Sequence, residues 1–364
     1  MGLGERFDRL VDPFEGPNTF GNTRTFWVGF ALVFALLVGY PIGFGSYAAS
    51  SAALYLLYAI LALSLSVVWG YTGILSFGQV VFFGIAGYTF GIVSLNLTSA
   101  VTTMLALPLA VGLATLAAFV LGYFMFYGEV RDVYVTILTL VVAIVLNTFM
   151  AQTAGAEWSV GSVALGGFNG IPAIPNLTFG VGGAALTLDG SSLYWFTLVA
   201  LLAVYLGLRA LVNGRFGYAM VAAREDADRT EMLGYDVRRI KLLVFSLGGA
   251  LAGFSGVLYA SWGNYISPTV FGITFASIPV VWVTVGGRRS LLGAVVATVA
   301  IEWFRQQLSV TGSQYAMVVV GVVLLVAILF VPEGIVPRAR EAVVAVRERA
   351  QRTSDSDTME GTPE

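Results

Sequence analysis

Apolar residues run in long blocks along this chain, at 26–44, 48–69, 72–94, 101–127, 133–152, 193–213, 241–262, 290–308 and 314–332. A helix crossing a membrane needs about 20 mostly apolar residues, and these blocks supply that length. A shorter run at 274–287 is either a further span or one half of a re-entrant pair with its successor. The pattern predicts an all-α, polytopic membrane protein of about 8–10 transmembrane helices, including glycine-broken or re-entrant segments. Residues 1–25 are polar and turn-rich, with Asp12-Pro13 and Gly16-Pro17-Asn18, and lack the pattern of a signal peptide. The first span is therefore expected to be retained. The chain divides into an N-terminal segment (1–25), a transmembrane domain (26–337) and a tail (338–364). Within that tail, 338–352 reads as an Arg/Glu/Ala-rich surface helix and 353–364 as an acidic, disordered end.

Composition narrows the function classes. Hydrophobic residues make up 57% and charged residues 11%, against about 25% charged in soluble domains. The 43 glycines fit helices that pack closely in lipid. With 19 basic and 21 acidic residues, the net charge of −2 leaves no electrostatic footprint for nucleic acid. Cysteine and histidine are both absent. Their absence removes disulfides, thiolate nucleophiles, Ser-His and Cys-His catalysis, and His-ligated metals. Carboxylate-only or Ser-Lys chemistry survives that exclusion, but no catalytic residue, metal site or bound cofactor is expected.

The few charges carry topological information, since short cytoplasmic loops collect Lys and Arg. Basic residues precede the first span (Arg6, Arg9, Arg24), follow the fourth (Arg131), crowd the 209–241 segment, and recur at Arg288-Arg289 and in the tail. The 153–192 connection holds Glu157 and Asp189 and no basic residue. Alternate threading places every basic cluster on the cytoplasmic side, with both termini, and leaves 153–192 outside. A re-entrant pair at 274–308 preserves that parity.

Three segments are candidates for function. In the first, Gly70-Tyr-Thr-Gly73-Ile-Leu-Ser76-Phe-Gly78-Gln79 continues to Phe83-Gly84-Ile-Ala-Gly87-Tyr88. Each glycine weakens helix by about 1 kcal/mol relative to alanine. The polar residues Thr72, Ser76 and Gln79 inside an apolar run must be satisfied by a neighbouring helix or a wet path. A broken helix lining a translocation path, through Thr72, Ser76, Gly78, Gln79, Gly84 and Gly87, is one reading; a glycine-rich packing seam is the other. The second segment is the cytoplasmic loop at 214–240, where residues 225–233 have helix-forming composition and Gly234 occupies a C-cap position. Ala219, Met220, Ala222 and Ala223 give it a small apolar face, suited to a partner or simply to a solvated loop. The third is Trp282-Val-Thr-Val-Gly286-Gly287-Arg288-Arg289, read as a tight turn at the cytoplasmic surface. Glu302 and Arg305, three apart on one helical face, are expected to form a structural ion pair. No chain of intramembrane carboxylates forms a proton or sodium relay. The single lysine, Lys241, lies in Ile240-Lys241-Leu242 and outside any Walker A pattern, so ATP-driven work requires another subunit.

Over residues 48–337 the sequence resembles the permease subunits of ABC importers for branched-chain amino acids and urea, the LivM/UrtC type. The resemblance rests on Gly70-x-x-Gly73-x-x-Ser76-x-Gly78-Gln79 with Phe83-Gly84-x-x-Gly87-Tyr88, where the family often has His at position 79. It rests also on Ala223-Arg224-Glu225-Asp226, Leu233-Gly234-Tyr235, Lys241 and Ala250-x-Ala252-Gly253-x-x-Gly256-x-x-Tyr259. Asp228-Arg229-Thr230 stands where the general coupling motif has Glu-Ala-Ala. Gly166-Gly167-Phe168-Asn169-Gly170 is similar to a segment shared by both branches, while Trp282 to Arg288 and Val130 to Tyr134 look closer to the urea branch. The resemblance implies a plasma-membrane permease, not an enzyme, that supplies half of a pathway. Its implied partners are a second homologous permease, two ABC ATPases that use the ATP, an external solute-binding protein and membrane lipid. It implies an ATPase-coupling role for Arg224, Glu225, Asp226, Asp228, Glu231 and Gly234. Urea is placed ahead of branched-chain amino acids as solute; a stand-alone secondary transporter or channel is the alternative class.

Overall fold

The computed structural model describes residues 11–97, 100–155, 157–180, 185–310 and 321–322. Most of the predicted span at 314–332, the surface helix at 338–352 and the acidic tail lie outside these. The described chain is helical, with α1 (Arg24–Leu65), α2 (Gln79–Asn96), α3 (Ala100–Tyr127), α4 (Asp132–Gln152), α5 (Gly190–Asn213), α6 (Arg215–Glu225), α7 (Ala227–Met232), α8 (Val237–Gly263), α9 (Ile273–Gly286) and α10 (Leu291–Val310). Strand is confined to three two-stranded antiparallel ribbons.

The two apolar blocks at 26–44 and 48–69 are joined into a helical stretch of 47 residues, Arg24–Gly70. Straight, it would extend about 70 Å, far beyond one bilayer core. It bends at Gly45, whose φ of 80° is open to glycine at little cost. Its ends meet: the Tyr71 hydroxyl donates to the Asn18 carbonyl at 3.1 Å. The two limbs therefore return to the same end of the molecule. Pro41 in the first limb has no N–H for the Leu37 carbonyl. Tyr194 of α5 supplies the missing donor, its hydroxyl lying 2.7 Å from that oxygen. In lipid such a replacement is obligatory, because no water is there to do it.

α8 is the packing hub, set against α1, α2 and α3. Its Gly249 and Gly253 face Ala118 and Ala114 of α3, and Gly256 lies against the Phe83 backbone of α2. α3 answers with Ala106, Ala110, Ala114 and Ala118, all fully buried. Four-residue spacing puts these on one face, where small side chains let backbones approach. By contrast α4 and the outer faces of α3 and the first limb of α1 are exposed and apolar, with Leu36, Ile42, Phe124, Val133 and Ile137 among the uncovered residues. In a membrane these faces meet lipid or another chain.

α9 and α10 reverse by 119° across residues 287–290. The bend is compatible with the re-entrant pair offered for 274–308 and with a single broken span. Among the described residues, basic side chains from the 209–241 segment and the 288–289 turn gather at one end of the bundle: Arg238 pairs with Glu129 at 2.8 Å, Lys241 with Asp132 at 2.9 Å, and Arg289 with Glu225 at 3.6 Å. At the opposite end lie the ribbons of residues 159–187, tied to the end of α8 by the pairing of Ile171 with Ile266.

One basic residue departs from the expectation of a surface charge. Arg209 is fully buried. Its guanidinium donates to the carbonyls of Phe14 (2.7 Å) and Gly21 (2.9 Å) and to Asn22 Oδ1 (3.1 Å). It also lies over the rings of Phe26 and Trp27, at 5.0 and 4.8 Å. Residues 12–23 are thus a cap tied to α5. Asn213 adds to it by donating to Thr19 Oγ1 at 2.8 Å.

Candidate translocation and coupling site

The predicted break is present, and its position is sharper than the apolar block at 72–94 allowed. A π-helical turn, Ser66–Gly70, closes the second limb of α1. The backbone at 73–78 is then non-helical, and α2 starts only at Gln79. Irregular backbone inside a membrane protein needs partners from its neighbours. α4 provides them: Thr139 Oγ1 accepts from the Phe77 amide at 3.1 Å, and Thr136 donates to the Leu75 carbonyl at 2.8 Å. Neither threonine carries a sequence signal that marks it out.

The polar residues expected along a path are all buried, and they differ in how they are satisfied. Thr72 donates to the Val68 carbonyl of its own helix at 2.6 Å. Ser76 Oγ accepts from the Gly78 amide at 2.9 Å, shaping the start of α2. Gln79 is 1% exposed, yet neither its Nε2 nor its Oε1 has a partner; the Ser66 hydroxyl, also buried, has none either. An unpaired buried polar group costs about 1–3 kcal/mol, which sets Gln79 apart from Thr72 and Ser76. Gly78 sits close to Thr139. Gly84 lies beneath the Phe271 ring and Gly87 beneath Ile266 and Gly256, so both seat α2 against the opposite end of the bundle. In this arrangement the packing-seam reading describes Gly84 and Gly87, and the break describes Ser76 and Gly78.

The loop at 214–240 folds as two short helices. α7 is capped by Asp226, whose carboxylate accepts from the Arg229 amide at 3.0 Å. Gly234, at φ 87°, follows its end. Most of the small apolar face of α6 is turned inward: Ala219, Met220 and Ala223 are buried within this chain and so are not offered to a partner, while Ala222 is exposed. The loop exposes charged residues of both signs, Glu225, Asp228, Arg229 and Glu231 among them, together with Met232, Leu233 and Tyr235. A cleft of about 320 Å³ opens beside it, lined by Glu129, Asp132, Glu231, Arg238 and Lys241 among others.

Arg224 joins this loop to the break. Its Nη1 donates to the Gly70 carbonyl, the last of the π turn, and its Nη2 pairs with Glu225. Arg289, from the α9–α10 turn, reaches the same Glu225 carboxylate. These cations hold the Glu225 carboxyl below the usual carboxylate range, through the hydrogen bond and charge of Arg224 first and the charge of Arg289 after. Gly70 is also pressed against the Arg288 carbonyl, leaving no room for a side chain there. Of the six coupling-loop residues named from the sequence, Arg224 thus meets the break, Glu225 reaches it only through Arg224, Asp226 is a cap, and Asp228, Glu231 and Gly234 remain outside that contact. Glu302 accepts from Trp282 Nε1 at 3.2 Å and pairs with Arg305, as the three-residue spacing predicts.

Comparison with known proteins agrees with this architecture. Residues 47–328 match the family described as branched-chain amino acid transport system / permease component. The high-affinity branched-chain amino acid transport system permease protein LivM of Escherichia coli is 29% identical over 84% of this chain and 73% of its own length. The protein of the same name from Salmonella typhimurium is 28% identical over 93% and 82%. A probable branched-chain amino acid transport permease protein LivM of Methanocaldococcus jannaschii is 24% identical over 77% and 90%. No solved structure matches the chain significantly. On the extent of the family match, this multi-pass membrane chain belongs to the branched-chain amino acid transport system permease family.

Proposed function

We propose that this chain is the permease subunit of an ABC importer in the plasma membrane, that the basic end of its bundle faces the cytoplasm, and that the segment 66–79 gates its half of the pathway. The observation that carries the reading is the contact of Arg224 with Gly70. It puts a loop suited to docking an ATPase in direct touch with a break between long helices that is buried in the bundle. Movement of α6 and α7 is felt at the π turn without an intermediary. A second, homologous permease covers the exposed apolar faces, two ATPases hydrolyse ATP, and an external solute-binding protein delivers the solute. For the solute we place branched-chain amino acids ahead of urea. That order reverses the preference drawn from the segment Trp282 to Arg288, because the relatives described above carry amino-acid names.

The test is reconstitution. The chain, its companion permease, ATPases and binding protein in proteoliposomes should take up leucine only with ATP and binding protein, and crosslinks from 215–236 should reach an ATPase. Uptake of urea and not leucine would return the urea preference. Transport by this chain alone, without ATP, would replace the reading with a stand-alone carrier or channel.

A further inference from the structure

Tyr71 directly follows the π turn and is buried. Its hydroxyl donates to the carbonyl of Asn18, in the N-terminal cap, at 3.1 Å. The side chain of the same Asn18 donates through Nδ2 to the Val212 carbonyl at 2.8 Å. Val212 lies in the last turn of α5, and Gly217 of α6 rests so closely on its carbonyl that a side chain would not fit. One residue of the cap thus bridges the end of the π turn and the base of α6. The tip of α6 is fastened to that turn separately, by Arg224 on the Gly70 carbonyl. α6 has 11 residues and is about 16 Å long at 1.5 Å per residue. Its two ends are therefore held, through different side chains, to the adjacent residues Gly70 and Tyr71. A rod fixed at one end can swivel about it, whereas a rod fixed at both ends carries a displacement to its anchorage.

We infer that the N-terminal cap is a second linkage between α6 and the gate, with Asn18 and Tyr71 as positioning residues that hold the base of α6 in register with the π turn. This rests on the reading of 66–79 as a gate driven through α6, and it extends that reading by giving residues 12–23, ahead of the first span, a part in transport. The cap is anchored firmly enough to bear load. Arg209 ties the Phe14 and Gly21 carbonyls to α5, and hydrogen bonds from a charged donor are roughly twice as strong as neutral ones. Asn213 donates to Thr19 Oγ1 at 2.8 Å, and Gly16 is pressed against the Asn213 side chain. On the other side Trp27 of α1 donates through Nε1 to the Glu15 carboxylate at 2.7 Å. The cap therefore moves with the end of α5 and the start of α1, and Asn18 passes that motion to Tyr71.

The experiment uses the complete importer in proteoliposomes, with solute uptake and ATP hydrolysis recorded on the same preparation and the thermal midpoint of the purified complex alongside. Tyr71→Phe deletes the hydroxyl and keeps the ring; Asn18→Ala deletes the bond to Val212. Each should lower the solute moved per ATP about fivefold, the worth of one neutral hydrogen bond, while ATP hydrolysis and the thermal midpoint stay near wild type. The two changes together should lose no more than the larger single loss, because either one opens the same linkage. Wild-type solute per ATP in Tyr71→Phe, uptake and hydrolysis falling in equal measure, or losses that add in the double variant would overturn the linkage. Arg224→Ala separates this from the reading beneath it. Coupling lost in Arg224→Ala and kept in Tyr71→Phe overturns the part of the cap alone, and coupling kept in both overturns the drive through α6 as well.

Discussion

Arg224 donates to the backbone carbonyl of Gly70, 154 residues earlier in the chain. The bond fastens the C-terminal end of α6 to the π turn that closes α1, immediately before the backbone leaves the helix. One side chain therefore spans the distance between the loop that a motor subunit would move and the segment that would have to open.

Arg224→Ala is expected to leave the complex assembled and hydrolysing ATP while the solute moved per ATP falls about tenfold, within the usual range of coupling free energies. Arg224→Lys, which keeps one charged donor, should fall between. Uptake and hydrolysis measured on the same proteoliposomes decide it, and equal losses in both would reduce Arg224 to a structural tie.

Gly70→Ala places a methyl group against the Arg288 carbonyl. Overpacking of this kind costs about 1–3 kcal/mol. The thermal midpoint of the purified protein should drop accordingly, and a variant as stable as the wild type would mean that the α9–α10 turn moves away freely.

Gln79→Leu removes two unpaired buried polar atoms, each costing about 1–3 kcal/mol. The described arrangement should become more stable, with a higher thermal midpoint. Uptake should fall, because the proposed path loses the buried amide of Gln79. A variant that is less stable would show that the amide is already satisfied.

Glu225 provides a pH test. Its pKa is lowered by Arg224 and then Arg289. A lowered pKa means that the tie is fully formed above the ordinary glutamate value and is lost as pH falls through the lowered one. Coupling should therefore persist into the range where ordinary glutamates take up protons. Uncoupling centred on the ordinary glutamate value would contradict it, and Glu225→Gln should be weakly coupled at every pH.

Arg209→Met deletes the cation that binds the Phe14 and Gly21 carbonyls. Hydrogen bonds to charged groups contribute about 1.5–3 kcal/mol each, so the cap at 12–23 should loosen. Limited proteolysis should then cut within it, where the wild type is protected.

Sequence alone determined the helical membrane class and the Glu302–Arg305 pair, and it offered a break near Ser76 and Gly78 as one of two readings. Each follows from local rules: apolar length against bilayer thickness, helical spacing and glycine density. What only the tertiary structure decided depends on residues far apart in the chain. Arg209, grouped by sequence with a surface cluster, is buried because the carbonyls of residues 14 and 21 and two aromatic rings surround it. Most of the apolar face of α6 turns inward because the bundle, and not a partner, offers it a surface. Thr136 and Thr139 matter because a non-helical segment more than sixty residues away needs hydrogen bonds where water is scarce. No local pattern encodes that demand, since it arises only when α4 is laid beside the break.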